Sequence, residues 1–221
     1  MPKREVPKAR ILDVSDIPTD RPVITLDIDG VLNAFDHGRS LPSWQKPIED
    51  NPVTHDITDR KKVTLPTEMC EKCGYREGQS FVITWARTLM DDIAELAESG
   101  RATIVWLTSW NEFADWLGDE CFWPGGKSPA TGCIDCTIGG SRSSYAGKIR
   151  CLREICDALV AAHPDGDAPP VVSFDDDAPW DYQGWGRNEK PLPGFFHGIQ
   201  TDPRHGITMT QWEEMLEIVG R

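Results

Sequence analysis

The chain has 221 residues, which suffices for one α/β domain with a sizeable core and an insertion but not for two full domains. Hydrophobic residues at 39% and charged residues at 27% exclude a disordered or fibrous chain. The net charge of −13 disfavours non-specific binding to nucleic acids, although it is compatible with specific recognition of a phosphorylated end.

The first predicted element is a buried strand that begins at Pro22, after a loose, proline-containing leader of residues 1–21. Its apolar and β-branched residues continue to Ile28. Residues 34–81 then show no sustained helical periodicity, many turn-forming residues and two short β-prone runs. Because so long a segment exceeds an ordinary loop, we predict a small β-rich insertion, a flap, at about residues 34–81.

Helices and strands alternate through the rest of the chain. A helix capped by Thr84 is predicted to start at Trp85 and to end just before Gly100. The further predicted elements are a strand over 102–108, short and long helices over 111–117 and 145–162, strands over 169–174 and 195–200, and a last helix starting near Thr208 or Thr210. Such alternation predicts an α/β fold with a central parallel sheet flanked by helices.

Polar residues follow the predicted strands, at the sheet edge where functional groups collect in parallel α/β folds. Asp27 and Asp29 end the first strand, and their spacing places both carboxylates on the same side of it. Later in the chain come Thr108 and Ser109 after a strand, Lys148 near the start of a helix, and Asp175, Asp176, Asp177 and Asp181 at and after another strand.

Three or more carboxylates at one strand edge would repel each other unless a divalent cation neutralised them. A ligand set made only of oxygen favours a hard ion such as Mg²⁺. A carboxylate beside such an ion can attack phosphorus and form an aspartyl-phosphate, while a lysine and a hydroxyl group suit the phosphoryl oxygens. These residue types therefore favour phosphoryl-transfer chemistry.

The sequence Asp-Ile-Asp-Gly-Val-Leu-Asn at residues 27–33 resembles the nucleophile motif of the haloacid dehalogenase (HAD) superfamily of phosphohydrolases. Three further segments resemble the other motifs of that superfamily, in the same order: Thr108 after its strand, Lys148, and the DDxxxxD pattern of Asp175, Asp176 and Asp181. The resemblance covers the chain from about Pro22 to the C-terminus.

Two other segments resemble a small actinobacterial and phage subgroup of HAD-like proteins. They are Val-Trp-Leu-Thr-Ser-Trp at residues 105–110 and Gly-Ile-Thr at residues 206–208, before the last helix. One relative of this subgroup occurs in multidomain RNA-repair proteins, where it is thought to remove terminal phosphates. The resemblance thus implies a nucleotide or a nucleic-acid end as the substrate class.

The superfamily resemblance implies a Rossmann-like HAD fold and a catalytic role for each matched residue. Asp27 would be the nucleophile, and Asp29 the general acid and base that protonates the leaving oxygen and then activates water. Thr108, or Ser109 in its place, would hold the phosphoryl group. Lys148 would neutralise the charge of Asp27 and of the phosphate.

The same resemblance implies a Mg²⁺ site. The carboxylates of Asp27 and Asp176 and the backbone carbonyl of Asp29 would bind the ion, and Asp175 or Asp181 would hold metal-bound water. Because three aspartates stand in a row at residues 175–177, the alignment of the fourth motif stays open by one residue.

Two Cys-x-x-Cys pairs, Cys70 with Cys73 and Cys133 with Cys136, have the spacing of half-sites of a four-thiolate zinc centre. About 60 residues separate the pairs, so only the fold could bring them together. A structural zinc ion that pins the flap, a transient redox pair and ordinary free cysteines all remain open.

Arg60, Lys61 and Lys62 form a basic run inside the predicted insertion. Such a run can contact a second phosphate or an oligonucleotide strand, and it is also typical of the exposed tip of a hairpin. We expect a Mg²⁺-dependent phosphomonoesterase that acts on a nucleotide or on a terminal phosphate of a nucleic acid. The alternatives are a small-metabolite phosphatase and a non-catalytic, zinc-stapled binding module of the same fold.

Features of the whole sequence bear on where the protein works. No stretch approaches the roughly 18 consecutive apolar residues of a membrane-spanning helix, and no apolar segment follows the basic N-terminal residues. The seven cysteines are an odd number, which favours free thiols in a reducing compartment over a disulfide framework. We therefore expect a cytoplasmic protein that does not act at membranes.

Overall fold

The computed structural model of the chain describes residues 6–35, 53–73, 75–136, 145–176 and 191–220. The strands in this part of the chain are β1 Val23–Leu26, β2 Asp59–Thr64, β3 Ser80–Trp85, β4 Thr103–Trp106, β5 Val171–Asp175 and β6 Phe196–Gln200. The helices are α1 Thr67–Cys73, α2 Arg87–Glu98, α3 Ala114–Leu117, α4 Tyr145–Ala162 and α5 Met209–Ile218.

A four-stranded parallel sheet with the strand order β4-β1-β5-β6 forms the centre of the fold. Leu26 at the end of β1 pairs with Trp106 of β4 and with Phe174 of β5, so these strands end at the same level. Every residue of the three strands is buried, as expected where both sheet faces are covered. The predicted α/β fold with a central parallel sheet is confirmed.

Helices cover both faces of the sheet. Alternate strand residues point to opposite faces, so Ile24 packs in one apolar cluster with residues of α2 and α5, while Val23 packs in another with residues of α4. The predicted bounds of α4 are confirmed. Among the described helices, none combines the length and the apolar composition needed to cross a bilayer.

The described part of the predicted insertion contains a β-hairpin. Strands β2 and β3 pair antiparallel with α1 between them, and the hairpin packs on the core through Val63 and Ile83. Residues 36–52 and Gly74 of the predicted insertion lie outside the described residues.

The prediction that Thr84 caps a helix is wrong. Strand β3 continues through Trp85, and α2 begins at Arg87 with Ala86 in the N-cap position. The Thr84 backbone N–H donates to Asn33 Oδ1 at 3.0 Å, and its hydroxyl donates to the carbonyl of Ala34. These tertiary bonds hold Thr84 in extended backbone and outweigh its local preference for a helix cap.

Residues 9–17 pack against the core and do not form a loose leader. The Leu12 N–H donates to the Cys133 carbonyl at 2.8 Å, so this segment runs beside residues 131–134. Those residues bond in turn to Trp106 of β4, with N–H to carbonyl distances of 2.9 and 3.1 Å. Two irregular segments therefore extend the β4 edge of the sheet.

Candidate active site

Three carboxylates meet beyond the carboxyl ends of β1 and β5. Asp27 directly follows β1, Asp175 ends β5, and Asp176 follows it. One oxygen from each carboxylate lies within 4.8 Å of the other two, and no other such group of three possible metal ligands occurs among the described residues. The structure thus brings together three of the acidic residues that the sequence predicted.

Lys148 lies between two of these carboxylates. Its Nζ is 2.5 Å from Asp27 Oδ2 and 2.6 Å from Asp175 Oδ2, and the residue is only 8% exposed. Burial opposes the charged form, but the negative charges of Asp27 and Asp175 outweigh it and raise the pKa of Lys148. The lysine is therefore a permanent positive charge in the group.

The beginning of α4 comes close to the chain at Cys136. A Cβ added at Gly147 would lie 2.9 Å from the carbonyl carbon of Cys136 and would overlap its oxygen. Only glycine leaves this space. Gly147 therefore lets the helix approach closely enough to place the next residue, Lys148, among the carboxylates.

Gly30 makes room for Asp176. Its φ of +75° lies in the left-handed region, which favours glycine, and an added Cβ would lie 2.6 Å from the Asp176 Cβ. The Thr201 hydroxyl donates to the Gly30 carbonyl at 2.7 Å and so fixes the turn. A side chain at position 30 would therefore force Asp176 or the turn itself to move.

The donor set fits a hard divalent cation. Three carboxylates and one lysine leave the group with two excess negative charges. The two positive charges of a divalent cation would balance them. The ligand atoms are all oxygens, which Mg²⁺ prefers over nitrogen and sulfur.

Asp29 lies beside this group and is only partly buried. Its Oδ1 accepts a hydrogen bond from Asn33 Nδ2 at 2.7 Å, and its Oδ2 accepts one from Trp110 Nε1 at 3.0 Å. Burial and the negative charge of Asp27 raise the pKa of Asp29, while the hydrogen bonds from Asn33 and Trp110 act in the opposite direction. A carboxyl with a raised pKa is suited to donating a proton near neutral pH.

Thr108 and Ser109 lie at the same sheet edge as Asp27. The Leu107 N–H donates to the Leu26 carbonyl at 2.9 Å, so the pairing of β4 with β1 continues to this point. Thr108 is fully buried and its Oγ1 accepts from the Trp110 backbone N–H at 3.4 Å, whereas Ser109 is exposed. Both hydroxyl residues thus lie at this sheet edge, and their contact with a phosphoryl group stays a prediction.

The sequence left open, by one residue, how Asp175, Asp176 and Asp177 align with the fourth motif. The structure places both Asp175 and Asp176 in the carboxylate group. Asp175 contacts Lys148, and Asp176 fits against Gly30. The remaining acidic residues of this motif, Asp177 and Asp181, lie outside the described residues.

The described cysteines of the predicted zinc site are buried. Cys70 Sγ donates to the Arg76 carbonyl at 3.3 Å and Cys136 Sγ to the Thr108 carbonyl at 3.6 Å. Burial raises the pKa of Cys133 to about 12, so its thiol is protonated at neutral pH. Within the described residues these three do not form a group of three metal ligands. The Cys73 side chain lies outside the description, so the four-thiolate site stays a prediction.

The basic run lies on β2, and its side chains alternate between the two faces of the hairpin. Lys61 is tied to the protein itself, since its Nζ is 2.7 Å from both the carbonyl and the carboxylate of Glu120. Arg60 and Lys62 are exposed on the opposite face. A cavity of about 210 Å³ adjoins Arg60 and is lined by Ala34, Phe35, Ile57, Thr58, Asp59, Arg60 and Thr84.

Sequence reasoning did not assign roles to Asn33 and Trp110, the two residues that hold Asp29. Both occur in segments that carry the HAD resemblance, at residues 27–33 and 105–110. Their position in those segments was the signal in the sequence that could have identified them. Their contacts with Asp29 depend on how β1 and β4 are placed, which local sequence does not show.

Comparison of the chain with protein-family models, with curated proteins and with solved structures found no match. The geometry of the carboxylates, Lys148 and Asp29 is therefore the basis for a functional assignment.

Proposed function

We propose that this protein is a Mg²⁺-dependent phosphomonoester hydrolase of the HAD type, with Asp27 as its nucleophile. The observation that carries the proposal is the group of Asp27, Asp175 and Asp176 with Lys148 bonded to two of its members. The resemblance of four sequence segments to the HAD motifs, in the same order, also supports it.

The proposed metal ligands are the carboxylates of Asp27 and Asp176 and the backbone carbonyl of Asp29, and Asp175 or Asp181 would hold metal-bound water. The oxygen donors and the excess negative charge of the group of Asp27, Asp175 and Asp176 support a metal at this place, and the family resemblance adds the Asp29 carbonyl. When bound, the ion would lower the repulsion between the phosphate and the carboxylates.

In the proposed first step, a carboxylate oxygen of Asp27 bonds to phosphorus while the bond from phosphorus to the leaving oxygen breaks. Asp29 donates its proton to the leaving oxygen, so the product departs as a neutral alcohol. Lys148 and the hydroxyl of Thr108 or Ser109 stabilise the charge on the phosphoryl oxygens.

In the second step, a water molecule attacks the phosphorus of the aspartyl-phosphate. Asp29, now ionised, accepts a proton from this water, and the bond between phosphorus and Asp27 breaks. Inorganic phosphate leaves, and both aspartates return to their starting forms.

We propose a nucleotide or a terminal phosphate of a nucleic acid as the substrate class. Exposed Arg60 and Lys62 and the aromatic ring of Phe35 beside the cavity support it, because such groups bind phosphates and stack on bases. A small phosphorylated metabolite, the alternative that the sequence left open, is the second candidate.

The test is Mg²⁺-dependent phosphate release from sugar phosphates, mononucleotides, and oligonucleotides phosphorylated at the 3′ or the 5′ end. Asp27→Asn removes the proposed nucleophile, and we expect it to lower kcat by on the order of 10³-fold or more. Asp157→Asn makes the same change at an exposed position of α4 and should leave the rate unchanged.

The preferred substrate in this panel separates the nucleic-acid class from small metabolites. A folded wild-type protein that binds Mg²⁺ but releases no phosphate from any substrate would contradict the proposal and favour the non-catalytic binding module. Release that persists in Asp27→Asn would show that another residue is the nucleophile.

A further inference from the structure

We propose that Trp110 is a positioning residue, whose indole N–H holds Asp29 in the orientation that delivers a proton to the leaving oxygen. The inference rests on the proposed phosphatase function. The Trp110 Nε1 lies 3.0 Å from Asp29 Oδ2, and the tryptophan is only 5% exposed.

Asp29 is held at both oxygens by donors from different parts of the fold. Asn33 bonds to Oδ1 from within the turn after β1, and its own Oδ1 accepts from the Thr84 backbone on β3. Trp110 bonds to Oδ2 from the segment after β4. Donors at both oxygens restrict rotation of the carboxyl group, while each oxygen keeps a second lone-pair site for the transferred proton.

The indole ring is itself fixed by packing. Phe81 of β3 meets it edge to face at 6.0 Å between ring centroids, and Trp116 lies 6.3 Å away at a tilt of 31°. The Trp110 backbone N–H is also tied to Thr108 Oγ1. The direction of the indole N–H is therefore set by neighbours on both the flap hairpin and the core.

Indole has a further chemical advantage in this position. Its nitrogen is a hydrogen-bond donor only and does not accept a proton, unlike a histidine or a carboxylate. Trp110 can therefore orient Asp29 without competing for the proton that the leaving oxygen needs. This division of roles makes Asp29 the catalytic residue and Trp110 its support.

The test compares two aryl phosphates of similar shape. 4-Nitrophenyl phosphate has a leaving group that departs readily as an anion. The leaving oxygen of phenyl phosphate depends more on protonation by a general acid. In Trp110→Phe we expect kcat/KM to fall by about 10- to 100-fold for phenyl phosphate, a part of what a general acid contributes. For 4-nitrophenyl phosphate we expect a fall of less than about 3-fold, since its leaving oxygen depends little on that acid.

Trp116→Phe is the packing control, because Trp116 contacts the same ring and is 6% exposed. Any loss in this variant should be equal for the two substrates. Benzothienylalanine introduced at position 110 keeps the bicyclic shape but lacks the N–H, and it should reproduce the selective loss even if Trp110→Phe folds poorly. Asp29→Asn should show the same selectivity, with no further loss when it is combined with Trp110→Phe.

The outcomes separate the two proposals. An active wild type whose position-110 variants lose equal activity on both substrates would overturn the positioning role alone. A wild type that releases phosphate from neither compound, nor from the wider substrate panel, would overturn the proposed function and this inference with it.

Discussion

Gly30 shows how one residue decides the geometry of the carboxylate group. The turn after β1 needs a positive φ at this position, and the Asp176 side chain occupies the space that a Cβ would take. The sequence places this glycine within the segment that resembles the HAD nucleophile motif. Its second effect, leaving space for the aspartate that follows β5, is visible only in the folded chain.

Gly30→Ala should therefore weaken Mg²⁺ binding as well as stability. We expect the affinity, measured by isothermal titration calorimetry, to fall by at least about 10-fold because Asp176 is displaced. Gly78→Ala is the matched control, since Gly78 has a φ of +74° and an added Cβ there meets nothing within 4 Å. It should lower the free energy of unfolding by about 1–2 kcal/mol and leave Mg²⁺ affinity intact. Equal affinities in the two variants would show that the contact with Asp176 does not matter.

Element boundaries follow local signals where no tertiary contact competes with them. Helix α4 has the predicted bounds, and α5 begins after Thr208, one of its two predicted starts. At the start of α2 the local signal fails, because Thr84 pairs within the hairpin and bonds to the turn after β1.

Thr208→Ala tests the capping of α5. The Thr208 side chain accepts from the Gln211 N–H at 3.2 Å, and the Gln211 side chain accepts from the Thr208 N–H at 3.1 Å. Losing this capping box should cost about 1 kcal/mol, a decrease in Tm of about 2–4 °C in thermal unfolding. Thr210→Ala, at an exposed position inside the helix, is the control and should cost less than about 0.5 kcal/mol. Similar losses in both variants would argue against the cap.

At the scale of the whole molecule, long-range contacts bind separate parts of the chain together. His55 is an example, since it lies beside α2 and α5. In the same segment, the Val53 carbonyl accepts a hydrogen bond from the backbone N–H of Met209 in α5. His55 is 9% exposed, and its Nε2 has no hydrogen-bond partner among the described residues. Burial lowers the pKa of His55 from 6.5, although Asp92 acts in the opposite direction.

The lowered pKa of His55 predicts how stability depends on pH. Below pH 6.5 the unfolded chain takes up a proton at His55 more readily than the folded protein does. The free energy of unfolding therefore decreases as the pH is lowered. His55→Phe removes this contribution, so its stability should fall less steeply between pH 7.5 and about 5.5 in urea unfolding. Parallel pH curves for the two proteins would contradict the prediction. Working above pH 5.5 keeps most carboxylates ionised.

The sequence alone determined the α/β class and the strand ends at which the acidic residues stand. Apolar periodicity and the position of a residue after a strand are local properties, so they can be read without the fold. Asp27 and Asp175 were identified in this way, whereas the role of Lys148, near the start of a helix, came from the family resemblance. In the structure Lys148 contacts both aspartates.

Only the tertiary structure decided which partners surround these residues. Trp110 reaches Asp29 from 81 positions away, Lys148 reaches Asp27 from 121 positions away, and residues 9–17 dock beside residues 131–134. Each of these contacts joins segments that are distant in sequence. Their energies come from burial and hydrogen bonding between those segments, which leave no periodic pattern in either one.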